Sequence, residues 1–215
     1  MPSTFQRAPA LRRTPPPRSR KYRAILATAE ELFGGLGFKK TNVDEIAAQA
    51  GVSKPLIYRY FTSKEHLFEV VVERVISEWC DVVTAEAARR AETADERLRN
   101  VLAASLGFAR SHAVLRGLLA RESQLLLQGY SDVLERGTAV LRRALLETLE
   151  QGVRDGEIRG DLDPAPMADV LTEVCEAFAN RLISERAGDP DLLLHTVLET
   201  VLRGVSTRTP PSAHP

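Results

Sequence analysis

Apolar residues recur along this chain at intervals of three and four, over stretches that suit helices and little else. Tyr22, Ile25, Leu26, Ala29, Leu32 and Phe33 form one face of a first helix. That helix is expected to stop at Gly34, Gly35 and Gly37, which admit left-handed backbone angles. Val43, Ile46, Ala47 and Ala50 give a second, shorter face, with Thr41 as the expected N-cap and Asp44 in the capping-box position. Gly51 stands where a helix C-cap wants a positive φ, and Val52 can fold back as the hydrophobic contact. Ser53 or Lys54 then opens a third helix. In either register Pro55 falls in the first turn, where its missing N–H has no intrahelical acceptor. Two short helices joined by a glycine turn make a helix-turn-helix.

Ser63 caps a long fourth helix with a stripe of Leu67, Val70, Val71, Val75, Trp79 and Val82. Further helical periods cover 94–112, 114–124, 130–154, 164–186 and 189–205, with Gly156, Gly160 and Pro164 breaking the chain. The last two segments carry Val170, Leu171, Val174, Phe178 and Leu182, then Leu193, Leu194, Val197, Leu198, Val201 and Leu202. These faces exceed what one thin layer can bury, so pairing with a second copy is expected. Residues 1–18, with five prolines and no apolar period, read as a disordered basic arm, and 207–215 as a disordered tail.

Composition supports an all-helical protein: 44% apolar residues, 6% aromatic, and few β-branched runs. No stretch approaches the roughly 20 apolar residues of a membrane span, and the arginines near the start precede no apolar signal core. Cys80 and Cys175 lack metal spacing and read as reduced core thiols. The histidines (His66, His112, His195, His214) form no metal motif, and neither a phosphate loop nor a nucleophile elbow is present, so no enzyme, cofactor or metal is expected.

Charge changes the picture more. The net charge is zero, yet residues 1–64 hold 12 Lys/Arg against 4 Asp/Glu, and the remainder is correspondingly acidic. A basic head on an acidic body implies that the head meets a polyanion. Near Pro55 the free N–H groups of a helix start, with Lys54, favour phosphate.

With these residues in view, "FGGLGFKKTNVDEIAAQAGVSKPLIYRYFTSKEHLF" resembles the DNA-binding region of the tetracycline-repressor (TetR) family of bacterial regulators, over about residues 22–70. "VRDGEIRGDLDP" is similar, more weakly, to the connection before that family's last two long helices. The resemblance implies an all-α homodimer. A three-helix DNA-binding domain at 19–64 would precede a larger helical bundle at 65–206 for ligand binding and dimerisation. It also implies a repressor released from a palindromic operator by an unknown small molecule, acting in the cytoplasm on the nucleoid.

By matched position, Thr41 and Val43 would lie at the start of the second helix near the DNA backbone. Ser53, Lys54, Pro55, Leu56, Tyr58, Arg59 and Tyr60 would meet bases or phosphates, and Lys64 a phosphate. Arg59 suits guanine O6 and N7, and Leu56 a thymine methyl. Relatives often carry Gly and a small polar residue at positions 55 and 56, which puts the operator sequence in question. Ile57 and Phe61 read as core of the small domain, as does one of Tyr58 and Tyr60. Trp79, Phe108, His112, Arg116, Arg121, Glu122, Gln124 and Phe178 are candidate pocket residues by position alone. The competing readings are an all-helical enzyme or carrier with a look-alike head, and an activator without a ligand.

Overall fold

The computed structural model describes residues 19–112, 114–115, 131–183 and 190–205. Its elements are helices: α1 Arg20–Leu36, α2 Val43–Gln49, α3 Lys54–Tyr60, α4 Lys64–Ala88, α5 Ala94–Ser111, α6 Ser131–Arg154, α7 Pro164–Ile183 and α8 Pro190–Val205. The expected arm, the tail and most of the period at 114–124 lie outside the described residues.

The first helix stops within its expected run of glycines, at the last of them. α1 continues through Gly34 and Gly35, and only Gly37 leaves the helical region, at φ 79°. Glycine costs a helix roughly 1 kcal/mol against alanine, and the burial of Phe33 against the rings of Phe38 and Phe68 offsets that cost. The N-cap of α2 is shifted by one residue. Asn42 is the cap, its Oδ1 accepting from the Asp44 amide at 3.0 Å, and the Glu45 carboxylate accepts from the Asn42 amide at 3.4 Å. Thr41 faces inward instead. Its hydroxyl lies 3.0 Å from the Leu32 carbonyl and 2.8 Å from that of Gly37, which ties the α1–α2 turn back onto the end of α1.

α2 ends as its sequence requires. Gly51 takes φ 64°, its amide donates to Ala48 O at 3.3 Å, and the Val52 amide donates to Ala47 O at 3.0 Å. That pair of bonds is the Schellman arrangement, which needs a residue at positive φ. Ser53 is the N-cap of α3, without a side-chain bond, so Pro55 is the second helical residue. Ile57 and Phe61 are buried, and they belong to the same core as Ile25, Ala29, Ile46 and Leu67.

α4 is the shared element. Its 25 residues span about 37 Å at 1.5 Å per residue. It packs on α1 near its start and on α5 and α6 further along. Its buried face is broader than the expected stripe, adding Phe68, Val72, Ile76 and Val83. Arg74 on α4 reaches Glu30 of α1 at 2.8 Å and Glu78 at 3.0 Å. Leu98, Leu141, Leu145, Leu149 and Leu171 fill the core among α5, α6 and α7. The Arg99–Glu199 pair at 2.7 Å links α5 to α8.

Candidate nucleic-acid interface and cavity

A seven-residue helix has one side to bury and one to present. On α3 the buried side is Ile57, continued by Phe61, while Lys54, Pro55, Tyr58 and Arg59 are exposed and Leu56 is half-buried. Tyr58 is 46% exposed. Tyr60 is the packed tyrosine: its ring meets Tyr22 edge-on at 5.4 Å, and its hydroxyl shares a hydrogen bond with Ser19 Oγ at 3.1 Å. Lys54 bonds to the Asp44 carboxylate at 2.9 Å, and that bond raises its pKa above the usual lysine value. Arg59, Lys39 and Lys40 are exposed.

Lys64 bridges two parts of the head. Its ammonium donates to Phe38 O at 3.0 Å and Thr41 O at 3.1 Å and sits 4.3 Å from the centre of the Phe38 ring. Thr41 and Val43 are both buried, at 2% and 5% exposure, so their side chains shape the α1–α2 turn from within. The described positions thus divide into an outward set (Ser53, Lys54, Pro55, Tyr58, Arg59) and an inward or half-buried set (Thr41, Val43, Leu56, Tyr60, Lys64).

In the body, a cavity of about 520 Å³ opens among α4, α5, α6 and α7, lined chiefly by apolar atoms of Trp79, Leu106, Ala109, Leu115, Leu134, Ala139, Leu141 and Ala179. Polar groups also reach it. Trp79 Nε1 donates to Ser105 Oγ at 3.0 Å, and Ser105 Oγ lies 3.6 Å from Cys175 Sγ. Thr138 donates to Glu176 at 2.8 Å, and Arg142 is paired with Asp169. Burial pushes the Cys175 thiol up to about 11, so it stays protonated at neutral pH.

Of the pocket positions expected from sequence, Trp79 lines this cavity. Phe108 and His112 do not; they stack on each other at 3.7 Å, and His112 closes the end of α5 by donating its amide to Phe108 O. Phe178 packs half-buried against the core outside the cavity, and Arg116, Arg121, Glu122 and Gln124 lie outside the described residues. The lining that sequence reasoning missed has a signal, namely small residues four apart on facing helices. Ser105 and Ala109 on α5 and Cys175 and Ala179 on α7 leave room that larger side chains would fill.

The protein-family profile described as bacterial regulatory proteins, tetR family, matches residues 25–71. The chain is 26% identical over 193 residues to the fatty acid metabolism regulator protein of Bacillus subtilis, covering 87% of this chain and 97% of that one. A TetR-like transcriptional regulator from Rhodococcus sp. RHA1 shares the fold at TM-score 0.66 and 26% identity, over 87% of this chain and 97% of the other. The B. subtilis regulator FadR, solved in complex with stearoyl-CoA, superposes at TM-score 0.67 and 23% identity, over 85% and 98%. The helix-turn-helix with its outward α3, the helical body behind it and these likenesses agree: the chain belongs to the TetR family of bacterial transcriptional regulators, which bind DNA.

Proposed function

We propose that this regulator is a homodimeric repressor, released from a palindromic operator when a small molecule occupies its body. Residues 19–64 would be the reading head and residues 65–206 the ligand-binding and dimerising body. The observation that carries the reading is α3, held by Ile57 and Phe61 with Lys54, Tyr58 and Arg59 facing out. On DNA, Ser53, Lys54 and Tyr58 would bond phosphates, with Pro55 fixing the helix start between them. Arg59 would read guanine, Leu56 would touch a thymine methyl, and Lys64 would offer its remaining N–H to a phosphate. Thr41, Val43 and Tyr60 would act through position, by fixing the turn and the end of α3.

Dimerisation through α7 and α8 is supported by exposed apolar residues there, Val170 at 56% and Leu192 at 62%. Two heads on a palindrome must stand about 34–36 Å apart to meet successive major grooves. A ligand can change that spacing only by binding one state better than the other. The cavity would take a mostly apolar molecule, and the stearoyl-CoA held by the fold neighbour has such a chain. The test is a footprint on DNA upstream of its own gene, with and without candidate acyl compounds. A protected inverted repeat that the compound releases supports the reading; sequence-indifferent binding, or protection that no compound changes, rejects it.

A further inference from the structure

Trp79 on α4, Ser105 on α5 and Cys175 on α7 meet at the wall of the cavity, each brought there by a different helix. Ser105 is 2% exposed and Cys175 5%. Hydroxyls within the helices of this body otherwise turn back on their own backbone. Thr148, Thr172, Thr196 and Thr200 each donate to the carbonyl four residues earlier, at 2.8, 2.7, 2.8 and 2.7 Å. Ser105 points across helices instead: its Oγ accepts from Trp79 Nε1 at 3.0 Å and lies 3.6 Å from Cys175 Sγ.

The proton of that hydroxyl is poorly used. A serine side chain has one O–H donor and two lone pairs, and the indole N–H takes one of the pairs. What remains faces a thiol, whose sulfur is a weak acceptor and whose S–H is a weak donor. In either orientation a strong O–H donor stands at the wall of an apolar cavity and lacks a strong acceptor. The charges at the cavity offer no such vacancy to an anion. Among the described lining residues Arg142 is the one cation, and it is paired with Asp169, while Glu135 and Glu176 are acidic.

We propose that Ser105 anchors the ligand by donating its hydroxyl proton to the carbonyl oxygen of an uncharged, otherwise apolar molecule. This rests on the reading of the cavity as the ligand site. The indole N–H of Trp79 stays on Ser105 Oγ and polarises the hydroxyl, so that the two side chains act as one relay toward the carbonyl. Apolar contact supplies most of the affinity, and the single hydrogen bond fixes which way the molecule lies. A carboxylate in the same place would be buried without a free cation to pair with, which is costly. The class is therefore ketone, ester or amide rather than free acid.

The test titrates the full-length protein by calorimetry with three probes of similar size: butyrophenone, butylbenzene (its carbonyl replaced by a methylene) and 4-phenylbutanoate. Ser105→Ala should weaken the ketone by about 3- to 10-fold, the worth of one hydrogen bond, and should not weaken butylbenzene. The carboxylate should bind the wild type at least about tenfold more weakly than the ketone. Cys175→Ala spares the hydroxyl and removes its weak partner, so it should hold the ketone as tightly as the wild type or more so. That second variant keeps the test open where Ser105→Ala melts early, since a selective loss of the ketone there would move the anchor to the thiol and overturn the assignment. An unchanged ketone affinity in Ser105→Ala, or an equal loss of ketone and hydrocarbon, would also overturn it while leaving the cavity as a ligand site. A carboxylate that binds as tightly as the ketone would overturn the uncharged class. If neither the ketone nor the hydrocarbon binds the wild type, the reading of the cavity falls together with the anchor.

Discussion

The ammonium of Lys64 donates a hydrogen bond to the carbonyl oxygen of Thr41 at 3.1 Å, so the first residue of α4 is fastened to the turn between α1 and α2. The bond to Phe38 O and the ring contact tighten the same joint. Because α4 also packs on α5 and α6, this joint is where movement of the body would reach the reading head.

Two of the three Lys64 N–H groups are already used, leaving one for a phosphate. Lys64→Ala should then have two effects. The salt slope of operator binding should fall by about 1, with equal loss on all sequences. Stability should fall by about 1 kcal/mol, because charged donors to carbonyls are lost at a half-exposed site. Titration at several salt concentrations and a denaturant melt separate the two. A stability loss with an unchanged slope would make Lys64 a fastening alone.

Arg59 is exposed in the last turn of α3 and suits bidentate contact with guanine. Arg59→Ala should relax discrimination at one base pair per half-site by about 1–3 kcal/mol. Competition among single-base operator variants measures this. A uniform loss across all variants would reassign Arg59 to the phosphates.

Much of this architecture is legible in sequence because its signals are local. Gly51 followed by Val52, Pro55 near a helix start and Ser63 before α4 each state a backbone requirement that neighbouring residues alone determine. Thr41 and Asn42 could not be ordered that way. Both are good caps, and what decides between them is the Leu32 carbonyl nine residues earlier, which takes the Thr41 hydroxyl. Which of the three glycines ends α1 is undecided locally for the same kind of reason, since Gly34 and Gly35 weaken a helix that Phe33 holds through the rings of Phe38 and Phe68. The cavity was least legible. Trp79 could be picked out as a large aromatic on α4, but the space beside it comes from small residues, and absent side chains carry a weak signal.

Gly137 shows how closely α4 and α6 approach at that space. A Cβ there would lie 2.6 Å from Cζ3 of Trp79 and 3.1 Å from Cγ2 of Ile76. Gly137→Ala gains about 1 kcal/mol of helix propensity, but overpacking against a rigid indole costs about 1–3 kcal/mol. The net expectation is a loss of about 1 kcal/mol and a shift in emission of the single tryptophan. Thermal melting and fluorescence check both. A stabilised variant with unchanged emission would mean that the helices stand further apart than this contact requires.

Cys175 gives the last prediction, and its sign follows from burial. Desolvation raises its thiol from the ordinary 9.0 to about 11, while Cys80 is raised by partial burial and then by Asp81. In the folded protein at pH 8 a thiol-specific reagent should leave Cys175 unmodified, and it should react only on unfolding. Between pH 9 and 11 the unfolded chain releases this proton and the folded chain keeps it. The folded state therefore binds more protons, and stability must fall as pH rises through that window, by at most about 1.4 kcal/mol per pH unit. Well below pH 9 both states hold the proton and the group contributes no slope. Cys175→Ala should abolish this share of the alkaline decline while leaving the part due to Cys80. Equal declines in wild type and variant, or ready labelling of Cys175 in the native protein, would show that solvent reaches the thiol beside Ser105.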